Sequence, residues 1–314
     1  MIDIPELSNC TICPQACGTD RYREAGFCGA GRQLKINLAQ LHHGEEPVLS
    51  GTRGSGTIFF SHCNLRCVFC QNHEISHLGW GTHYTEEECA DLMLRLQDQG
   101  AHNINLVSPT QYTPQLVSAL TMARTRGLGV PVVWNSNAYE CVDTLQRLKG
   151  LVDIYLPDYK YASADKALKY SSAPDYPVIA LKAIHEMWKQ VGELVVDEDD
   201  IALKGVIVRH LVLPNRIAGS AEVVRVLHRE FGPSLALSLM AQYYTAGNAG
   251  SFPELSRGLK PLEYKEILDL LPEFGFEWVF AQDLDSSPEW TPEFHEGGDK
   301  HEEKIKNFFG RNNP

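Results

Sequence analysis

The chain has 314 residues, of which 43% are hydrophobic and 9% aromatic, enough for a sizeable core in one large α/β domain or two smaller ones. Its net charge is −12, with no basic run or Lys/Arg stripe, which argues against a nucleic-acid partner. No apolar run approaches the roughly 20 residues that span a bilayer, and Met1–Glu6 has neither the basic nor the apolar part of a signal peptide, so a cytoplasmic protein with no membrane partner is expected. In a reducing compartment nine cysteines point to metal rather than disulfides.

Seven of the nine fall in two groups. Residues 1–50 show little periodicity and hold Cys10-x2-Cys13-x3-Cys17, with Cys28 eleven residues on. So short a segment needs a staple. Four thiolates saturate a tetrahedral zinc or a [4Fe–4S] cluster equally well, and the spacing does not choose. Such a closed site is structural or electron-relaying. The second group follows a short β-branched and aromatic run, Thr57–Phe60, that reads as a buried strand. Past its end comes Cys63-x3-Cys67-x2-Cys70. Three thiolates within eight residues suit one compact soft-metal centre. A [4Fe–4S] cube normally takes four, so three leave one iron open to something that is not protein. A zinc site would more often pair two distant Cys-x2-Cys halves. Cys89 and Cys141 each fall inside an expected helix and read as buried small hydrophobes.

From Thr57 onward, strands alternate with helices. The expected strands are 57–61, 103–107, 132–135, 153–156, 205–213 and 235–240, with 278–280 as a further short one. Thr85-Glu86-Glu87-Glu88 reads as a capping box opening a helix that Gly100 ends. Thr113-Pro114 opens the next, which Gly127 closes. Helices are also expected over 140–149, from Pro177 toward Gly192, from Ser220 to Gly232 and from Pro261 to Gly275. Short connections between β–α units require parallel strands.

Polar residues recur at the strand ends, where α/β folds place ligands. Ser108-Pro109-Thr110 follows the second strand, and a proline-driven turn explains the proline but not both hydroxyls. Asn135-Ser136-Asn137 follows the third, where an Asx-turn is an equal alternative. Asp158-Tyr159-Lys160 follows the fourth, and Gln242 the sixth. Arg209 lies inside the apolar fifth strand, where it is costly without a carboxylate partner. His42, His43, His73, His77 and His83 read as solvated loop residues.

The cluster loop, with Phe69 before its third cysteine, resembles the signature of the radical S-adenosylmethionine (SAM) superfamily. With the N-terminal cysteines and the Gly-rich lead-in Ser50–Gly56, it resembles the PflX-like branch of pyruvate formate-lyase-activating-type proteins. The resemblance covers roughly residues 10 to 285. It implies an α/β fold, a partial (β/α)6 barrel at 51–285, with a Cys-rich N-terminal metal-binding extension at 1–50 and an irregular tail at 286–314. It implies a [4Fe–4S] cluster on Cys63, Cys67 and Cys70, with SAM on the open iron. One-electron cleavage of SAM would then yield a 5′-deoxyadenosyl radical. Phe69 would offer an aromatic face, and Ser108 and Thr110 would take the methionyl ammonium. Most of the superfamily carries Gly-Gly-Glu at that place, and this chain does not. Ser136 and Asn137 suit the ribose or carboxylate edge. Asp158 and Lys160 match the Asp-x-Lys of the glycyl-radical activating branch. Arg209 would take the SAM carboxylate, and Gln242 the adenine. His62 stands where a glycine often precedes the first cluster cysteine. The expected substrate is a peptide or protein, including a glycyl-radical enzyme, and the expected electron donor a flavodoxin or ferredoxin. Radical chemistry on a small molecule or peptide side chain is the alternative within the enzyme class. A two-cluster electron carrier or metal-dependent binding module is the alternative outside it.

Overall fold

The computed structural model describes residues 4–284 and 292–298. In chain order the strands are β1 Leu34–His42, β2 Ser55–Phe60, β3 Thr82–Tyr84, β4 Ile104–Val107, β5 Val132–Ser136, β6 Ile154–Pro157, β7 Val195–Val196, β8 Ala202–Leu211, β9 Ala236–Met240 and β10 Val279–Ala281. The helices are α1 Pro47–Ser50, α2 His73–Ser76, α3 Glu86–Asp98, α4 Thr113–Thr125, α5 Val142–Gln146, α6 Ala164–Ser171, α7 Tyr176–Val191, α8 Ser220–Phe231 and α9 Pro261–Leu268.

The fold is α/β around one parallel-rich sheet of order β10-β9-β8-β6-β5-β4-β2-β1-β3. From β10 to β2 every pair is parallel. All six expected strands form, and 278–280 supplies a seventh as β10. Every residue of β2, β4, β5 and β6 is buried, as both faces of a helix-covered parallel sheet require. β1 joins antiparallel to β2, and β3 antiparallel to β1. A strand over 34–42 was not anticipated in a segment read as nearly aperiodic.

Side chains alternate across the sheet. Val132 and Trp134 join the large core beneath the helices. Val133, Ile154, Leu156, Ile207 and Ala236 face the other way and meet Val48 and Leu49 of α1. α1 therefore closes the concave side of the sheet near the strand starts. The strand ends stay open above it.

The capping box forms as expected: Thr85 accepts from the Glu88 amide, and Glu88 accepts from the Thr85 amide at 2.7 Å. Five helices differ from expectation, the four-residue α1 and α2 having no counterpart among those expected. α9 stops at Leu268, and Pro272 leaves only a 3-10 turn over Leu271–Glu273. α5 spans Val142–Gln146 alone, so Cys141 is its N-cap, half-buried, rather than a residue inside a helix. α6 was not anticipated: it is eight residues long and ends at Ser172 with φ 56, where a glycine would have signalled the stop. Of the expected tail, residues 292–298 carry no helix or strand, and Phe294 packs edge-on against Phe59. Residues 286–291 and 299–314 of that tail lie outside the described residues. Among the described residues, no helix is long and apolar enough to cross a membrane.

Candidate active site and its thiols

A cavity of about 840 Å³ opens at the C-terminal ends of the parallel strands. Cys63, Cys67, Phe69 and Cys70 line it from the loop after β2, and Ser108 from β4. Ser136 and Asn137 reach it from β5, Asp158 and Lys160 from β6, Arg209 from β8 and Gln242 from β9. Eleven strand-end residues singled out in the sequence thus converge from six strands.

Each of the three sulfurs meets a hydrogen-bond donor. Asn137 Nδ2 donates to Cys63 Sγ at 3.3 Å, and the Leu65 amide does so at 3.4 Å. Ser171 Oγ donates to Cys67 Sγ at 2.9 Å. Ser76 Oγ lies 3.1 Å from Cys70 Sγ. Such contacts tune the potential of a thiolate-bound cluster. The three thiols feel one another electrostatically. Burial pushes the Cys63 thiol up to about 12 and the Cys70 thiol up to about 11, so both are protonated at neutral pH until metal displaces the proton. Lys160 is their cationic neighbour. Burial pulls its ammonium down, but Asp158, 2.5 Å away, and the Cys67 thiol outweigh that and hold it charged.

Among the described residues, no three His, Cys, Asp or Glu side chains converge as a cage for a single metal ion. A four-iron cube places each thiolate on a different iron, so three sulfurs around a cube stand farther apart than three on one ion. The donor set fits a cube: three soft thiols without a competing carboxylate, a donor at every sulfur, a buried cation, and free volume on one side.

Several of the expected ligand residues are engaged by the chain itself. Thr110 is buried and does not line the cavity; its hydroxyl donates to Glu140 at 3.0 Å. Glu140, not anticipated, also accepts from Ser136 Oγ at 2.6 Å and Trp134 Nε1 at 2.9 Å. Burial raises its carboxyl against these three donors. Phe69 is buried and meets Tyr161 and Tyr243 edge-on. Gln242 receives a 2.9 Å bond from Gln282.

Arg209 finds its carboxylates within the chain. Its Nε donates to Glu46 Oε1 at 2.8 Å, and its Nη2 to Glu46 and Glu45. Both glutamates sit on the segment just before α1 and line the cavity floor. Nothing in the sequence marked Glu45 or Glu46, and only the lone arginine signalled a buried partner. Burial would raise the Glu46 carboxyl, yet Arg209 holds it below its ordinary range. His42, expected in a loop, ends β1 and lies 4.0 Å from Glu45. His73 and His77 bracket α2 with rings stacked at 4.8 Å, and His77 Nδ1 shares a hydrogen bond with Ser76 Oγ.

His62 has φ 71, a left-handed backbone that explains the usual glycine there. Its ring lies between Gly29 and Gly79, where an added Cβ would come within 2.6 and 2.4 Å of it. Burial, with Lys35 and Arg66 adding, pushes the imidazole down to about 4, so it is neutral at physiological pH.

The four N-terminal thiols are also mutual neighbours. Cys10, Cys13 and Cys28 are buried, and Cys17 is exposed. Arg21, 2% exposed, reaches Cys10 Sγ at 3.9 Å.

Comparison with known proteins agrees with this arrangement. A sequence model of the radical SAM superfamily matches residues 57–196, which include the three-cysteine loop. An uncharacterized protein of Methanocaldococcus jannaschii is 31% identical over 281 residues, covering 87% of this chain and 77% of that one. The chain belongs to the radical SAM superfamily. That family works with a [4Fe–4S] cluster and SAM. The radical SAM chain is also similar to the pyruvate formate-lyase-activating enzyme of Listeria monocytogenes, 23% identical over 131 residues, 39% of this chain and 53% of that enzyme. A solved structure of methylornithine synthase aligns over 79% of each chain at 13% identity with a TM-score of 0.48.

Proposed function

We propose that this chain cleaves SAM reductively and uses the resulting radical to abstract hydrogen from a peptide or protein, with a glycyl-radical enzyme as the leading substrate class. The observation that carries the reading is the convergence of Cys63, Cys67 and Cys70, each with a hydrogen-bond donor, on a wall shared with the Asp158–Lys160 pair. Cys63, Cys67 and Cys70 would hold the cluster, whose chemistry there would be one-electron reduction of the SAM sulfonium, with cleavage of the S–C5′ bond to methionine and a 5′-deoxyadenosyl radical.

The chain's own residues bind and orient. Lys160, kept charged by Asp158, offers its ammonium to the SAM carboxylate. Asn137 bonds both Cys63 Sγ and Asn64 Oδ1 and holds the loop after β5 against the cluster loop. Ser108, at φ 57, and Gln242 offer polar atoms to the cavity. Arg209 is bound to Glu45 and Glu46, which gives the cavity a polar, salt-bridged floor below the SAM position. The partial likeness to pyruvate formate-lyase-activating enzymes supports a protein substrate.

The test is anaerobic reconstitution, reduction with dithionite and chromatography of the products. The parent should convert SAM to 5′-deoxyadenosine, and Cys67→Ala should not. A Cys67→Ala protein that keeps both the SAM-binding cluster and the cleavage would refute the assignment.

A further inference from the structure

We propose that Cys10, Cys13, Cys17 and Cys28 hold a redox-active iron–sulfur cluster that delivers electrons, through the contact at His62, to the cluster on Cys63, Cys67 and Cys70. The proposal rests on the radical SAM reading of the second site.

The N-terminal segment packs directly on the back of the cluster loop. Gly29, next to Cys28, touches the ring of His62, next to Cys63. Gln15, between Cys13 and Cys17, donates to the Asn64 carbonyl at 3.0 Å, and Asn64 Oδ1 accepts from Asn137, which also bonds Cys63 Sγ. Arg66 donates to the Phe27 carbonyl at 2.7 Å, and its guanidinium lies 5.6 Å from the Phe27 ring centroid. Covalent and hydrogen-bonded links therefore run from each side of one thiol set to the other.

A buried cation independently marks an anionic group at the first set. The Arg21 guanidinium is 2% exposed. Among the described residues its hydrogen-bond partners are the Gly31 and Gln111 carbonyls and the Cys10 sulfur, with no carboxylate. A buried charge needs an opposite one. Four thiolates on a metal centre carry net negative charge, and reduction adds one more, which Arg21 favours.

Access argues for a relay. The second set faces a cavity that SAM and substrate fill in the proposed reaction. A donor protein cannot reach it from there during turnover. Cys17 is exposed, and Phe27, 40% exposed, adds an aromatic rim beside the first set. One electron from a reduced iron–sulfur or flavin protein enters at this surface, oxidising the donor by one. The same electron leaves through the His62 contact to the second cluster and then to one sulfonium, whose S–C5′ bond breaks.

The experiment uses the full chain, reconstituted anaerobically, fully reduced, freed of excess reductant and then given SAM. Metal analysis should find two [4Fe–4S] clusters and no zinc. With a relay, both stored electrons reach SAM, so two equivalents of 5′-deoxyadenosine form per chain. Cys17→Ser should lose the first cluster and one equivalent, with the SAM-induced spectral change of the second cluster intact. His62→Gly, which suits the left-handed backbone, should retain both clusters and slow the second equivalent relative to the first. Zinc at the N-terminal set overturns the relay. So does a reduced first cluster that persists beside SAM after only one equivalent, or an unchanged second phase in His62→Gly. A parent whose spectrum does not respond to SAM at all would remove the underlying reading, and the relay with it.

Discussion

Replacing Arg209 with Met tests what the floor of the cavity contributes. The substitution leaves Glu46 buried without its cation. In the parent, Arg209 holds the Glu46 carboxyl below its ordinary range against burial. Its stabilisation is therefore present above the ordinary carboxylate pKa and lost as pH falls through the depressed folded value. In the variant burial outweighs the hydrogen bonds that remain, from Ser238 and the backbone, and Glu46 takes up a proton instead. Protonating a carboxyl of ordinary pKa about 4.3 at pH 7 costs about 2.7 units at 1.36 kcal/mol each, or about 4 kcal/mol. That agrees with the roughly 3–5 kcal/mol for breaking a buried pair. The cost falls with pH to about 2 kcal/mol at pH 5.5, because the variant's native state binds a proton that the unfolded chain releases.

The assay is urea unfolding of the parent, Arg209→Met and Arg209→Met/Glu46→Gln at pH 7 and pH 5.5. The single variant should be destabilised most at pH 7, and the double variant should recover most of the deficit there. A deficit equal at both pH values, with no recovery in the double variant, would show that Arg209 acts through packing rather than charge.

Lys160→Met should weaken SAM binding about tenfold or somewhat more, since a charge-assisted hydrogen bond is worth roughly 1.5–3 kcal/mol at 1.4 kcal/mol per decade. Anaerobic titration measures it, and iron content should match the parent. His210 is buried between the Tyr159 carbonyl and Ser220 Oγ, and burial pushes its imidazole down to about 4. Between about pH 4 and 6.5 the unfolded chain protonates this histidine and the native state does not, so stability rises with pH by roughly 3 kcal/mol across that window. In His210→Gln, urea midpoints over the same range should lose that part of the slope.

The parallel strands were legible because a strand buried on both faces reads as a short continuous apolar run, as in Ile154–Pro157 or Val206–Val208. β1 was harder: a cysteine-rich stretch with little periodicity precedes it, and α1 separates it from its partner β2. α6 carries Asp165, Lys166 and Lys169 within eight residues and shows only a narrow apolar face. It nevertheless delivers Ser171 to Cys67, a contact between residues 104 apart in sequence that no local pattern encodes.

The candidate site was legible where chemistry repeats a residue type at strand ends, and illegible where one side chain answers another across the fold. Arg209 announced a missing carboxylate without showing where it lay. Thr110 and Ser136 looked like ligand donors, yet both hydroxyls are directed at Glu140, which no sequence feature distinguished from a helix-start acid. His62 stood out only as a departure from glycine. A non-glycine in a left-handed conformation costs about 1–2 kcal/mol, and such strain persists where the surroundings over-determine it. Here the surroundings are Gly29 and Gly79, whose missing side chains make room for the ring. A glycine at 62 would relieve the strain and open a gap between the two cysteine sets. The histidine accepts the strain and fills that gap, which is why His62→Gly is the substitution that tests the proposed coupling between the two thiol sets.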